Sequence, residues 1–193
     1  IAIMFTAMKS NLKEIKGLYE LCQKLSLDGL ILERFFPMGE GAKLKDELLD
    51  RGDWLNLVKA IFELAGEPYL EKEIVSQRAF WVRFLKRKTE LWGASCNVGR
   101  DSFCIMPNAD LYPCRRFTLK IGNLLETPLA DIINSFLLTD IINGRPKGRC
   151  AECDILDCRG CPALSYLLTG DYHSQDSQCW YKSQSIPLFT NGN

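Results

Sequence analysis

Nine cysteines are spread unevenly through this chain of 193 residues, and eight of them fall between Cys96 and Cys179. Four, Cys150, Cys153, Cys158 and Cys161, lie within the stretch CAECDILDCRGCPA. Thiols at this density can form disulfides, bind zinc or hold iron–sulfur clusters. Zinc and cubane [4Fe–4S] clusters both take four thiolates at roughly tetrahedral corners. A C-x2-C turn suits either, because the short loop brings two sulfurs to one centre while backbone N–H groups point at them. One such pair is a moderate signal. Two interleaved pairs, with distant cysteines before and after, point to two metal centres.

The rest of the composition narrows the choice. Lys plus Arg and Asp plus Glu both number 24, so the formal charge is zero and no nucleic-acid partner is expected. No apolar stretch approaches the ~20 residues of a membrane span, so no membrane association is expected either. The opening IAIMF is too short for a signal peptide and runs straight into polar residues. The expected location is therefore the cytoplasm, where thiols stay reduced and clustered cysteines bind metal rather than pair. A structural zinc module for binding a partner is the competing class, and a disulfide scaffold ranks below it.

The elements that position the cysteines fall into two halves, residues 1–92 and 93–193. In the first, IAIMFTA has the length and composition of a buried parallel strand. SNLKEIKGLYELCQKLSL follows as a helix capped by Ser10 or Asn11, with Leu12, Ile15, Leu18, Leu21, Cys22 and Leu25 on its apolar face. Cys22 belongs to the core. LDGLILERFFPMGEG is a second strand entering a Pro/Gly loop, and WLNLVKAIFELAG is a helix stopped by Gly66. EKEIVSQRAFWVRFLKRK also reads as helix, with Lys86-Arg87-Lys88 on its solvated surface. This β-α-β-α order predicts an α/β fold with a parallel sheet. Two strands cannot close such a sheet, so the chain is expected to be the later part of a larger α/β domain.

The second half has many turns and little helical periodicity. SFCIMPNADLYPC predicts a β-hairpin around Pro107-Asn108-Ala109-Asp110. TPLADIINSFLLTDII predicts one helix with Thr127 as cap and Pro128 at its first position. Past Cys150 there is little apolar mass except ALSYLLTG, so the segment needs a staple that the cysteines can supply.

The order C-x12-A-x4-C (Cys96, Ala109, Cys114), then C-x2-C-x4-C-x2-C, then Cys179 resembles the seven-cysteine signature of SPASM domains. These are C-terminal extensions of radical S-adenosylmethionine (SAM) enzymes. PNADLYPCRRF, IGNLLETPLADI and CRGCPALSYLLTGDY resemble the family as well. MFTAMKSN and LERFFPMGEG are similar to the later strands of the radical SAM partial (β/α) barrel. The resemblance implies two auxiliary [4Fe–4S] clusters, the outer held by Cys150, Cys153, Cys158 and Cys179, the inner by Cys96, Cys114 and Cys161. In the intact enzyme it implies SAM, a third [4Fe–4S] cluster, and an electron donor such as flavodoxin or ferredoxin. There SAM would be cleaved to a radical that abstracts hydrogen from a peptide or small-molecule substrate, with the auxiliary clusters carrying an electron away or binding the substrate.

The sequence also departs from the family pattern. Ala109 stands where a turn glycine is usual, so Asn108 is expected to take the left-handed position. The central spacing is one residue shorter at two places than the commonest form, C-x5-C-x3-C. The inner set lacks an obvious fourth cysteine. With a two-residue Asn108-Ala109 loop, Cys104 faces away from Cys114; a longer loop reverses that and leaves Cys104 a candidate ligand. The C-x3-C-x2-C triplet of radical SAM enzymes is absent from the sequence, so these residues alone are not expected to cleave SAM. Sulfatase-maturing members have aspartate directly after the cysteine matching Cys114, and Arg115 here disfavours that activity. Peptide maturation and decarboxylation of haem-precursor side chains remain, with CRGCPA and TGDY resembling the haem-pathway members.

Other candidates are fewer. Lys9, Asn11 and Arg34 lie at or beyond strand C-terminal ends, the active face of such barrels, and are candidates for contact with SAM or substrate; Glu33 and Glu40 share that position. Arg115, Arg116 and Arg159, beside cysteines, either tune a cluster or form surface ion pairs. His173, the only histidine, is expected to be exposed in a polar loop.

Overall fold

The computed structural model describes residues 1–86, 88–156 and 158–182. Strands β1 (Ala2–Ala7) and β2 (Gly29–Arg34) pair in parallel, joined through a 3-10 turn at Lys9–Glu14 and helix α1 (Ile15–Lys24). Helix α1 buries Ile15, Tyr19 and Cys22, so Cys22 is core as read. Helix α2 (Arg51–Ala65) opens on a reciprocal cap in which Asp50 Oδ1 accepts from the Asp53 N–H at 2.8 Å and Asp53 accepts from the Asp50 N–H at 3.1 Å. It ends on Gly66 at φ 71°, the left-handed stop expected there.

The long helix expected after Gly66 does not form. Helix α3 covers only Glu71–Ile74, and the chain then makes β3 (Gln77–Phe84) and β4 (Thr89–Ser95), each antiparallel to its neighbour. The cause is alternation: Arg78, Phe80 and Val82 are buried while Trp81 between them is exposed, a period of two that a strand satisfies and a helix does not. Lys86 and Lys88 therefore sit at the hairpin turn, closed by Leu85 N–H donating to Lys88 O, rather than on a helix surface; Arg87 lies outside the described residues. The result is an open, mixed sheet in the order β1-β2-β3-β4.

One face of this sheet buries Leu30, Leu32, Phe80 and Val82 in a core shared with α1, α2, Trp180 and Tyr181. On the other face Met4, Ile31, Trp81 and Trp92 stand in register across all four strands.

A second sheet, β5 (Cys104–Ile105), β6 (Asp110–Tyr112) and β7 (Gly122–Asn123), is antiparallel throughout. The expected single helix over 127–142 is broken into α4 (Leu129–Ile133) and α5 (Phe136–Asn143). Ser135 makes the break, its hydroxyl capping α5 by accepting from the Leu138 N–H at 3.2 Å. Thr127 is not the cap; Pro128 occupies that position with no side-chain cap. Helix α6 (Pro162–Thr169) leads into the tail. A smaller core of Phe36, Val98, Phe117, Ile141, Cys161, Ala163 and Leu164 holds this part together.

Candidate metal centres

All nine cysteines are free thiols, and six of them line two clefts. The run from Cys150 to Cys161 is divided between them. Cys150, Cys153 and Cys179 line one cleft of about 200 Å³ with Arg149, Glu152, Tyr181 and Lys182. Cys96, Cys114 and Cys161 line another of about 200 Å³ with Glu33, Arg78, Ala79, Ala94 and Arg116. Cys158 lies between, its Sγ accepting a hydrogen bond from Arg78 Nη2 at 3.1 Å. Among the described residues no three Cys, His, Asp or Glu side chains converge closely enough to hold a single metal ion; the thiols ring open clefts instead.

Local sequence explains how the outer thiols are held. Gly148 at φ 58° lets the chain turn into Cys150 with the Gln175 side chain against it; a Cβ there would stand 2.9 Å from Gln175 Oε1. Arg149 then ties this turn to the tail, donating from Nη2 to the Cys179 carbonyl at 3.0 Å and from its backbone N–H to Gln175 Oε1 at 3.1 Å. The Cys150 and Cys179 thiols are pushed up by burial, against which the backbone N–H groups of Asp176 and Tyr181 act.

The inner thiols come from three separate segments. Cys96 directly follows β4, and Cys114 follows β6, with its Sγ accepting from the Arg116 N–H at 3.3 Å. Cys161 is the residue ahead of Pro162, which opens α6. Burial raises both the Cys114 and Cys161 thiols; Arg34 opposes the effect at Cys161. Such thiols stay protonated until a metal displaces the proton, as a metal-coordinated thiol is deprotonated outright.

Hairpin geometry reverses the parity expected for Cys104. The loop holds three residues, Pro107-Asn108-Ala109, with Met106 N–H donating to Asp110 O at 2.9 Å and Ala109 N–H to Met106 O at 2.8 Å. Ala109, not Asn108, takes the left-handed position at φ 65°. Cys104 therefore pairs with Tyr112, and strand alternation puts it on the face of Cys114. Both line a further cleft of about 260 Å³ with Met38, Met106, Tyr112 and Phe117.

The barrel-face candidates do not meet in one site. Lys9 is exposed at the start of the 3-10 turn. Asn11 braces its own loop, accepting from the Met8 N–H at 2.8 Å and donating to Thr6 O at 3.0 Å. Arg34 is 2% exposed, with Nη1 bound to both carboxylate oxygens of Asp176 at 3.1 Å. Glu33 accepts from Arg115 Nη2 at 2.7 Å and also pairs with Arg116, while Glu40 is exposed and pairs with Lys43. Among the described residues Arg159 makes no ion pair; it donates to the carbonyls of Ile141, Ile142 and Val98 and so fixes the end of α5. His173 is half-buried rather than exposed, its Nε2 3.0 Å from Asp140 Oδ2 and its ring edge-on to Tyr172.

Two residues that sequence reasoning missed stand between the clefts. Arg78 sits one step past the Glu33–Ala79 pair and so lies beside Arg34 at the end of the sheet. Asp176 is 1% exposed and meets both, with Arg78 Nε 3.6 Å from its Oδ2. The one sequence signal was a charged residue at an inward position of an alternating apolar strand.

Residues 96–162 match the family model for SPASM, an iron–sulfur cluster-binding domain. This stretch is similar to SPASM domains. Two curated relatives are each named AdoMet-dependent heme synthase. That of Nitratidesulfovibrio vulgaris is 21% identical over 198 residues, covering 94% of this chain and 54% of the relative. That of Methanosarcina barkeri is 24% identical over 194 residues, covering 92% and 55%. Streptococcus suis SuiB, solved bound to S-adenosylmethionine, shares the fold with a TM-score of 0.60 at 18% identity, over 93% of this chain and 45% of that one. The chain thus spans about half the length of the relatives it matches. The resemblance to the later part of a radical SAM enzyme with a SPASM domain holds, with the barrel sheet open here and extended by an antiparallel hairpin.

Proposed function

We propose that this chain is the auxiliary-cluster part of a radical SAM oxidoreductase that decarboxylates side chains of a haem precursor, and that it binds two auxiliary [4Fe–4S] clusters. The observation carrying the proposal is the sorting of six thiols into two clefts, with Cys161 parted from its neighbours Cys150 and Cys153, and Cys158 held between the clefts by Arg78. The donor set fits: soft thiols only, N–H donors at sulfur, and clefts wider than a single ion needs. Cys150, Cys153, Cys158 and Cys179 would hold the outer cluster, and Cys96, Cys114 and Cys161 the inner, with Cys104 as its fourth thiol. Such clusters supply one-electron transfer at a potential set by their surroundings. The chain's own part is to hold the thiols in register, keep the clefts partly dry, and line the inner one with Glu33 and Arg116, Arg115 being paired to the same Glu33. Haem-precursor chemistry is favoured over peptide maturation by the names of the two curated relatives. SAM, a third cluster and a flavodoxin or ferredoxin donor would complete the enzyme, in the cytoplasm. No described helix is long and apolar enough to cross a membrane.

The test is iron, sulfide and zinc content of the protein purified without oxygen, compared with Cys153→Ala and Cys96→Ala. Each variant should lose about four irons and four sulfides. Zinc without sulfide, surviving anaerobic reconstitution, would leave a structural zinc module. In the intact enzyme, with the SAM-binding cluster present, SAM-dependent loss of carbon dioxide from a propionate-bearing tetrapyrrole tests the substrate class.

A further inference from the structure

The two cysteine clefts are separated by buried charge rather than by apolar packing. Arg78, Arg34 and Asp176 are 9%, 2% and 1% exposed. Burying three charges is costly, and hydrophobic side chains of similar volume would tie the segments together as well or better. The arrangement therefore calls for a use of the charge itself.

Every nitrogen of the Arg78 guanidinium is engaged. Nε donates to the Gly160 carbonyl at 2.9 Å, Nη1 to the Val75 carbonyl at 2.6 Å and the Gln77 carbonyl at 3.0 Å, and Nη2 to Cys158 Sγ at 3.1 Å. The same side chain lines the cleft of Cys96, Cys114 and Cys161. It touches a sulfur of one set and a wall of the other. The carboxylate of Asp176 lies against Arg34 and Arg78, and its oxygen also accepts the Gln178 N–H at 3.0 Å.

We propose that Arg78 is a positioning residue that fixes Cys158 and raises the reduction potential of the outer cluster, with Asp176 acting in the opposite sense. The inference rests on the auxiliary-cluster reading above. A cluster gains negative charge on reduction, so a nearby cation and an N–H donor at sulfur both favour the reduced state. A carboxylate in the same dry region opposes it. Two arginines against one aspartate leave the region between the clefts net positive. The inner cluster feels Arg78 through space only, so its shift is smaller.

The test is an EPR-monitored potentiometric titration of the full-length protein, prepared without oxygen, after iron and sulfide have been counted. The outer signal is the one missing from Cys153→Ala. Arg78→Gln should lower the outer potential more than the inner. Arg78→Lys, which keeps charge but lacks the fork, should fall between parent and Arg78→Gln. Asp176→Asn should raise the outer potential. A fully loaded Arg78→Gln with the parent's outer potential, or Arg78→Gln and Asp176→Asn moving it the same way, overturns the proposal. If Arg78→Gln does not load, Arg78→Lys decides: a lowered outer potential supports the link and an unchanged one overturns it. A parent protein without iron and sulfide overturns the cluster reading itself, and this inference with it.

Discussion

Cys104 stands opposite Tyr112 across the β5–β6 hairpin, on the face of the ribbon that carries Cys114. A single extra loop residue produces that relationship, because strand side chains alternate and a one-residue shift exchanges the faces. On the cluster reading proposed above, Cys104 would be the thiol that completes the set of Cys96, Cys114 and Cys161, since it shares a cleft with Cys114. Cys104→Ala should leave the inner cluster with one exposed iron, seen as loss of about one iron per chain after brief oxidation and a changed EPR signal. Cys22→Ala, with its thiol in the α1 core, should leave both unchanged. An inner signal in Cys104→Ala identical to the parent's would show that Cys104 is only a neighbour.

Ala109 at φ 65° keeps a conformation that costs a Cβ-bearing residue about 1 kcal/mol or more. Ala109→Gly should remove most of that strain, at the expense of a floppier unfolded chain. The net gain expected is about 0.5 kcal/mol, read as a small rise in denaturation midpoint with unchanged iron content. A fall in midpoint would mean that the Ala109 methyl packs usefully in the turn.

Tyr172 donates to Asp140 Oδ2 at 2.7 Å, and His173 Nε2 lies 3.0 Å from the same oxygen. The hydrogen bond from Tyr172, followed by that from His173, holds the Asp140 carboxyl below its ordinary value. A carboxyl depressed in the folded state adds stability above its unfolded value near pH 4, which is lost as pH falls through the lower folded value. Tyr172 itself is pushed up to about 12, first by burial and then by Asp140, so its contribution persists below pH 10 and fades toward pH 12. Tyr172→Phe should cost about 1 kcal/mol near neutrality. The difference from the parent should shrink below pH 4, as measured by urea unfolding across pH. A constant difference down to pH 2 would mean that the hydroxyl stabilises the fold independently of the charge on Asp140.

The legible parts of the sequence were those set by local pattern. The helical spacing of Ile15 and Cys22, the Gly66 stop and the grouping of cysteines are carried by residues close together in the chain. β3 was illegible because Phe80 and Val82 on one face and Trp81 on the other make QRAFWVRF apolar on both sides, which resembles a buried helix. The break between α4 and α5 turned on one cap, Ser135, inside a continuous apolar run. The Arg34–Asp176 pair spans 142 residues. No local periodicity encodes it: Arg34 reads as a candidate for SAM or substrate contact at a strand end, and nothing near Asp176 marks it as its partner until the tail folds back onto the sheet end.

That return of the tail depends on Gly160. Its φ is 63°, and a Cβ there would stand 2.8 Å from Asp176 Cβ, well inside contact distance. Its carbonyl also accepts from Arg78 Nε. Gly160→Ala therefore meets two penalties, about 1–2 kcal/mol for the left-handed backbone and roughly 1–3 kcal/mol for overpacking. The strain falls where Cys158, Cys161 and the segment leading to Cys179 must approach. Cys179 shares no cleft with Cys96 or Cys114, so the outer centre should suffer first. Gly160→Ala is expected to lose iron from the outer cluster preferentially, with protease cleavage appearing after residue 170 and the inner signal largely retained. Equal loss from both centres would mean that Gly160 supports the inner set through Cys161 as much as it supports the tail. Full iron with only a lowered midpoint would confine its role to folding.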